Sequence, residues 1–206
     1  MTKQLATADR ELYRFCRAHR DLRIERTAGG EIIVMAPTGG ETGHRNILLT
    51  VRFAAWADRR LHANGHGGDA VDGVTFDSST GFLLPSGALR SPDLAWVARR
   101  RWDALSPEQR EGFVPLCPDF AVELRSPSDS LSVLQDKCRE YSAAGARLVW
   151  LVDPVGSAGP SDSAAGCVYV YRQTETGTSV AVLERPAVIS GEPEMPGLSI
   201  ATDGIL

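Results

Sequence analysis

Two carboxylates sit in stretches that would otherwise read as apolar strands. Glu123 lies between Val122 and Leu124 in "PDFAVELRSPSDS" (118–130), and Asp93 heads the mostly apolar run of "SPDLAWVA" (91–98). An unpaired ion buried between two packed faces is costly, so such a strand either keeps one polar face or holds something that answers the charge. Alternation places Asp119, Ala121, Glu123 and Arg125 on one side and Phe120, Val122 and Leu124 on the other. In the second stretch Asp93, Ala95 and Val97 alternate with Leu94, Trp96 and Ala98. For Glu123 alone, a Glu–Arg pair on a solvated face fits the pattern as well as a binding site does. Asp93 adds a second carboxylate aimed at the same place from a neighbouring strand. Two such charges repel by about 4 kcal/mol at ~4 Å and an effective dielectric of ~20, unless a cation stands between them. A few hard oxygen ligands, with room left for water and phosphate, are what Mg²⁺ prefers, and Mn²⁺ is the alternative ion.

Lys137 is the third candidate. On the helix expected after the Glu123 strand, Leu131, Leu134, Cys138, Tyr141 and Gly145 form an inward stripe, with Gln135, Asp136, Arg139 and Glu140 on the wet face. Lys137 falls at the edge of the stripe. Its stem can simply cover the core while the ammonium stays wet, or the ammonium can reach back toward Glu123.

The elements that must position these groups follow from periodicity and breakers. Residues 7–19 read as a short helix, and "LRIERTAGGEIIVMAP" as a hairpin turning at Gly29-Gly30. After a break at Pro37–Gly40, "ETGHRNILLTVRFAAWADRRLHANG" is the longest helical pattern. Ile47, Leu48, Val51, Ala54, Ala55 and Leu61 form its apolar stripe, and Asn64-Gly65 marks its end. Two or three strands follow to Arg99, then a polar helical insert over Arg99–Glu111. "RLVWLVDP" is a near-continuous apolar run, hence a buried central strand. Pro118 to Pro154 therefore spaces out strand, crossover helix and parallel strand. A loop over Gly156–Gly166 leads to a closing hairpin and a short strand. The whole predicts one α/β domain over 1–206, a mixed β-sheet flanked by helices, with added N- and C-terminal hairpins.

Composition is ordinary for a folded domain, and 206 residues suffice for a sizeable core. A net charge of -4 does not advertise a nucleic-acid binder, so any basic face must be argued from position. Cys16, Cys117, Cys138 and Cys167 are widely spaced, with no C-x-x-C pair. They read as reduced structural thiols without a zinc site. Met1 leads into polar sequence and no apolar run approaches ~18 residues, so the expectation is a cytoplasmic protein without a membrane span.

Taken together, "GGEIIVMAPTGGETGHRNILLTV", "FDSSTGFLLPSGALRSPDLAWV", "CPDFAVELRSPSDSLSVLQDKCREYSAAGARLVWLVDP" and "ISGEPEMPGLSI" resemble the Uma-two family over nearly the whole chain. That family is a large prokaryotic group assigned to the PD-(D/E)XK restriction-endonuclease-like superfamily. The resemblance implies a restriction-endonuclease-like core in which Asp93 and Glu123 hold a divalent metal. The superfamily's lysine, two residues after the second acid, is Arg125 here, and Lys137 looks like its migrated replacement. Arginine holds its proton too tightly to shuttle it, but Arg125 could stabilise phosphate charge. Related nucleases often add a helix carboxylate to the metal site. In "ETGHRN" that points to Glu41 and His44, three apart and so on one helical face.

The chemistry so implied is metal-assisted hydrolysis of DNA phosphodiesters, with Asp93, Glu123, Lys137, Glu41 and His44 as the catalytic set. Arg45, Arg52, Arg59 and Arg60 on the long helix, and Arg99-Arg100-Arg101, are candidate phosphate contacts beside Arg125, although a charge run is more often a solvated face. Cutting two strands takes two sites, which makes a homodimer the expected assembly. Two rivals stand. One is a binding module that keeps the nuclease fold without turnover, and the other a metal-dependent hydrolase of small phosphate esters.

Overall fold

A six-stranded mixed sheet carries the residues singled out above. The computed structural model describes residues 7–63, 72–156 and 166–206; the side chains of 58–63 are outside that description. The chain begins with α1 (Thr7–Ala18) and the hairpin β1 (Arg23–Arg26) and β2 (Ile32–Met35). The hairpin turns where expected: Thr27 N–H donates to the Glu31 carbonyl at 2.9 Å, and Gly30 takes a φ of +89°, which glycine alone adopts without strain. Next come α2 (Gly40–Ala63), β3 (Gly73–Asp77), β4 (Phe82–Leu83), β5 (Leu89–Arg90) and β6 (Leu94–Ala98).

The insert expected as one helix over 99–111 is two, α3 (Arg99–Asp103) and α4 (Pro107–Glu111). Ser106 and Gln109 cap α4 reciprocally, side chain to backbone in both directions. Pro107, lacking an N–H and clashing with the preceding turn, cannot continue α3. Then follow β7 (Phe120–Leu124), α5 (Leu131–Ala143) and β8 (Leu148–Asp153). The antiparallel hairpin β9 (Cys167–Thr174) and β10 (Gly177–Glu184) and the short pair β11 (Val188–Ser190) and β12 (Ser199–Ala201) complete the chain.

The central sheet has the order β10-β9-β8-β7-β6-β3, and a second sheet has the order β2-β1-β5-β4. β7 and β8 are parallel, from Phe120↔Leu148 to Leu124↔Val152, with α5 as the connection between them, as expected. Gly145, at φ +106°, ends that helix. Of the extrapolated features, the Asn64-Gly65 stop, most of the 156–166 loop and the side chains of Arg59 and Arg60 lie outside the described residues.

Alternation along β6 and β7 divides the core in two. Leu94, Trp96, Phe120, Val122 and Trp150 pack against Leu49, Phe53 and Trp56 of α2 on one face of the sheet. Ala95, Val97, Ala121, Val149 and Leu151 pack against Cys138 and Tyr141 of α5 on the other. α2 buries a different stripe from the one its sequence favours. Leu49, Phe53 and Trp56 are buried, while Ile47 and Val51 are 58% and 59% exposed. The helix has two apolar stripes, and the one with larger rings fits the sheet, with Phe53 stacked on Phe120 at 5.3 Å.

Phe53→Ala is expected to cost about 3–5 kcal/mol by leaving a cavity, and Val51→Ala within about 0.5 kcal/mol of zero. Urea unfolding of the two variants checks this, and equal costs would contradict the helix orientation.

Candidate active site

Antiparallel pairing of Leu94 with Val122 sets Asp93, one residue before β6, beside Glu123 on β7. The Leu124 N–H donates to Asp93 Oδ2 at 2.8 Å, so the strand that carries one carboxylate also fixes the other. Asp93 stays partly exposed; Glu123 is 3% exposed. Both face the α5 side of the sheet, with Ala95 and Ala121.

Lys137 bends inward from α5. Its Nζ lies 2.9 Å from Glu123 Oε1, 3.0 Å from Glu123 Oε2 and 2.8 Å from Glu25 Oε1. The Tyr141 hydroxyl, one helical turn on, donates to Glu123 Oε1 at 2.9 Å. Glu25, on β1, is 2% exposed and accepts from the Ser91 N–H at 2.9 Å and from Arg90 Nη1 at 3.1 Å. Arg90 Nε in turn donates to Glu140 at 2.6 Å. The result is a chain of alternating charge, Glu140, Arg90, Glu25, Lys137, Glu123, with Asp93 at its open end.

Four carboxylates thus face two cations, and the surplus negative charge falls on Glu123 and Asp93. Burial pushes the Glu123 carboxyl up to about 8; Asp93 and Glu25 add to the rise against the opposing pull of Lys137. Burial likewise raises Asp93. Burial would also raise Glu25, but Lys137, the Ser91 N–H and Arg90 outweigh it and hold Glu25 low. Lys137 is the converse case: burial opposes its charge, yet Glu123 and Glu25 together raise it. The Tyr141 hydroxyl is raised well above its ordinary range by burial and then by Glu123, so it serves Glu123 as a donor.

Among the described residues no three His, Cys, Asp or Glu side chains gather as a closed metal cage. An open pair of carboxylates with surplus negative charge, one of them partly exposed, still fits Mg²⁺ or Mn²⁺. Such ions are commonly held by one or two carboxylates, with waters and substrate phosphate completing the shell.

The structure therefore brings Asp93, Glu123 and Lys137 together, and none of the remaining candidates makes a hydrogen bond or ion pair with them. Glu41 and His44 are exposed at the start of α2, whose buried residues pack on the opposite face of the sheet; Glu41 faces Arg45 at 3.8 Å. Glu25, from the hairpin, takes the place of a third carboxylate. Arg125 turns away from Glu123: its Nη1 binds Asp153 Oδ2 and the Gly156 carbonyl, both at 3.0 Å. Asp153 is buried and needs that cation, so Arg125 secures the end of β8 rather than offering a free guanidinium. Arg52 binds the Asp203 carbonyl at 2.9 Å and its carboxylate at 3.2 Å, holding α2 to the C-terminal segment. Asp119 caps the other end of β7, accepting from the Ala98 N–H at 2.9 Å and pairing with Arg101 at 2.9 Å.

Sequence reasoning missed Glu25 and Arg90, and it put Glu140 on the wet face of α5. A signal for Glu25 was there: "RIER" sets a carboxylate between Ile24 and Arg26 in a predicted strand, the same irregularity that marked Glu123.

Comparison with known proteins bears on this arrangement. The Uma2 family model, described as "Putative restriction endonuclease", matches residues 9–203. No curated protein matches the chain. A crystal structure described as "a putative nuclease belonging to DUF820 from Anabaena variabilis ATCC 29413" superposes with a TM-score of 0.61 at 16% identity, covering 88% of each chain. At that identity the likeness is one of fold.

Two outcomes follow from the charge chain. Lys137→Met strands Glu25 and Glu123 in the interior and should cost about 3–5 kcal/mol. The double variant with Glu25→Gln should cost less than the two single losses together, because one surplus charge is gone; strict additivity in urea unfolding would contradict the pairing. The second outcome concerns pH. Glu123 binds its proton more tightly folded than unfolded, so its contribution to stability is fully present below about pH 4.5 and is lost as pH rises through about 8. Without divalent metal, wild-type stability should fall over that range more steeply than that of Glu123→Gln, and parallel profiles would contradict the shift.

Proposed function

The chain belongs to the Uma2 family, and from that membership and the meeting of Asp93, Glu123 and Lys137 we propose that it is a metal-dependent endonuclease hydrolysing DNA phosphodiester bonds. The observation that carries the reading is the position of Lys137: a lysine from the next helix stands against the second acid, where Arg125 is committed to Asp153. Mixed strands with flanking helices and a nuclease-like fold support it.

Asp93 and Glu123 would hold the divalent cation. When bound, that ion supplies Lewis-acid polarisation of a phosphoryl oxygen and a more acidic water. The remaining roles fall to the chain's own groups. Asp93 is aimed by the Leu124 N–H, and Glu123 by the Tyr141 hydroxyl. Lys137 stays protonated between two carboxylates, which suits it to stabilising developing negative charge and orienting a water rather than to accepting a proton. Glu25 positions Lys137 from the far side, which gives the ammonium a second anchor besides Glu123.

Nicking of supercoiled plasmid in Mg²⁺ or Mn²⁺ tests the proposal. Asp93→Ala and Lys137→Ala should each lower the rate by about 10²-fold or more; wild type and Asp93→Ala cutting alike would sink it. A protein that only binds would show a Mn²⁺-induced rise in Tm, abolished by Glu123→Gln, with no nicking at all.

A further inference from the structure

Among the described residues most arginines are tied to carboxylates. Arg26 pairs with Asp9 at 2.6 Å, Arg90 with Glu25 and Glu140, Arg125 with Asp153 and Arg172 with Glu194. One segment departs from this. Arg10, Arg14, Arg17, Arg20 and Arg23 have no carboxylate within ion-pair distance among the described residues, and the first four are exposed. Steps of four and three residues put Arg10, Arg14 and Arg17 on one face of α1. An adjoining face is anchored: Asp9 is held by Arg26, and Tyr13 packs edge-on against Phe113 at 5.1 Å, donates to the Glu111 carbonyl and carries the Arg17 guanidinium over its ring at 5.9 Å. α1 is therefore fixed to the body with its arginines turned outward. The segment 7–23 carries five arginines against Asp9, Glu11 and Asp21, in a chain whose net charge is -4.

The arginines that follow α1 lie beside the candidate active site. Arg20 and Arg23 line a cleft of 220 Å³ together with Cys16, Met35 and Ser91, among others. Ser91 donates its N–H to Glu25 and lies two residues before Asp93. Arg23, whose Nη2 donates to the Ser78 carbonyl at 2.9 Å, is near enough to draw down the proton affinity of Asp93. Arg10 to Arg17 span about 10 Å of helix axis, the rise of roughly three phosphates along one strand.

We propose that the exposed arginine face of α1, continued by Arg20 and Arg23, is the track along which a nucleic-acid backbone runs into the Asp93–Glu123 site. The inference rests on the nuclease reading for its destination but not for its test, since backbone contact needs no turnover. Every arginine on the track offers a planar donor fork to phosphate oxygens. Contact of this kind is independent of base sequence and weakens with salt.

The test is fluorescence anisotropy with a labelled DNA duplex in EDTA, over about 50 to about 300 mM KCl, for wild type and the triple variant Arg10→Gln, Arg14→Gln, Arg17→Gln. Glutamine keeps helix propensity, and the corresponding Arg→Lys triple retains charge in case the first variant folds poorly. Wild type should bind with a steep salt dependence, and the glutamine triple should lose about 2–3 from the slope of log K against log salt, at ~0.9 per phosphate contact. The lysine triple should keep most of the slope. Equal slopes for wild type and the glutamine triple would overturn the proposal. So would absence of DNA binding by wild type, or capture of wild type by anionic phosphatidylserine vesicles without DNA binding. Salt-dependent binding without nicking would instead leave the track standing and remove the nuclease reading.

Discussion

A single ammonium, that of Lys137 between Glu25 and Glu123, joins three parts of the chain that are far apart in sequence. The N-terminal hairpin, the central strand and the crossover helix each bring one charged group to it. None of the three could bury its charge alone, since an unpaired buried ion costs several kcal/mol. Arg90 extends the alternation to Glu140, and the Ser91 N–H donates to Glu25 as a third partner beside Lys137 and Arg90. The second sheet is thereby tied to the first through charge as well as through apolar packing. The same cluster stops two positive charges short of neutrality, and the deficit lies at its partly exposed end, on Asp93 and Glu123. Structural satisfaction and chemical incompleteness thus occupy opposite ends of one network.

The scaffold sharpens that arrangement. β6 and β7 bury both their faces, so their register cannot slip by a residue without turning every side chain over. Asp93 and Glu123 consequently stay side by side, and the hydrogen bond from Leu124 adds a local lock. On the far face α2 supplies Phe53 and Trp56 to the core rather than ligands to the site. The field outside is as uneven as the field within. An acidic chain keeps unpaired arginines on α1 while pairing most others among the described residues, so its net charge conceals a basic face.

Much was legible from residue order. Period-two alternation separated the two faces of β6 and β7, and the breaks at Gly29-Gly30 and Pro37–Gly40 bounded their elements, because these signals are local. The reach of Lys137 to Glu123 could be anticipated from helix spacing after a strand. The orientation of α2 could not: its two apolar stripes are both plausible until the sheet surface selects the one with larger rings. Arg125 was ambiguous for a similar reason, since the acid that claims it, Asp153, comes from the neighbouring parallel strand.

What the sequence determined by itself was the alternating pattern, the strand–helix–strand unit and the two carboxylates that break an apolar run. These depend on neighbours a few residues away, and chain geometry alone relates them. What only the tertiary structure decided was the company those carboxylates keep. Glu25 stands 112 residues from Lys137, and Arg90 stands 50 from Glu140. Pairings over such distances are set by how sheets and helices pack, because burial, not sequence proximity, dictates which charges must find each other.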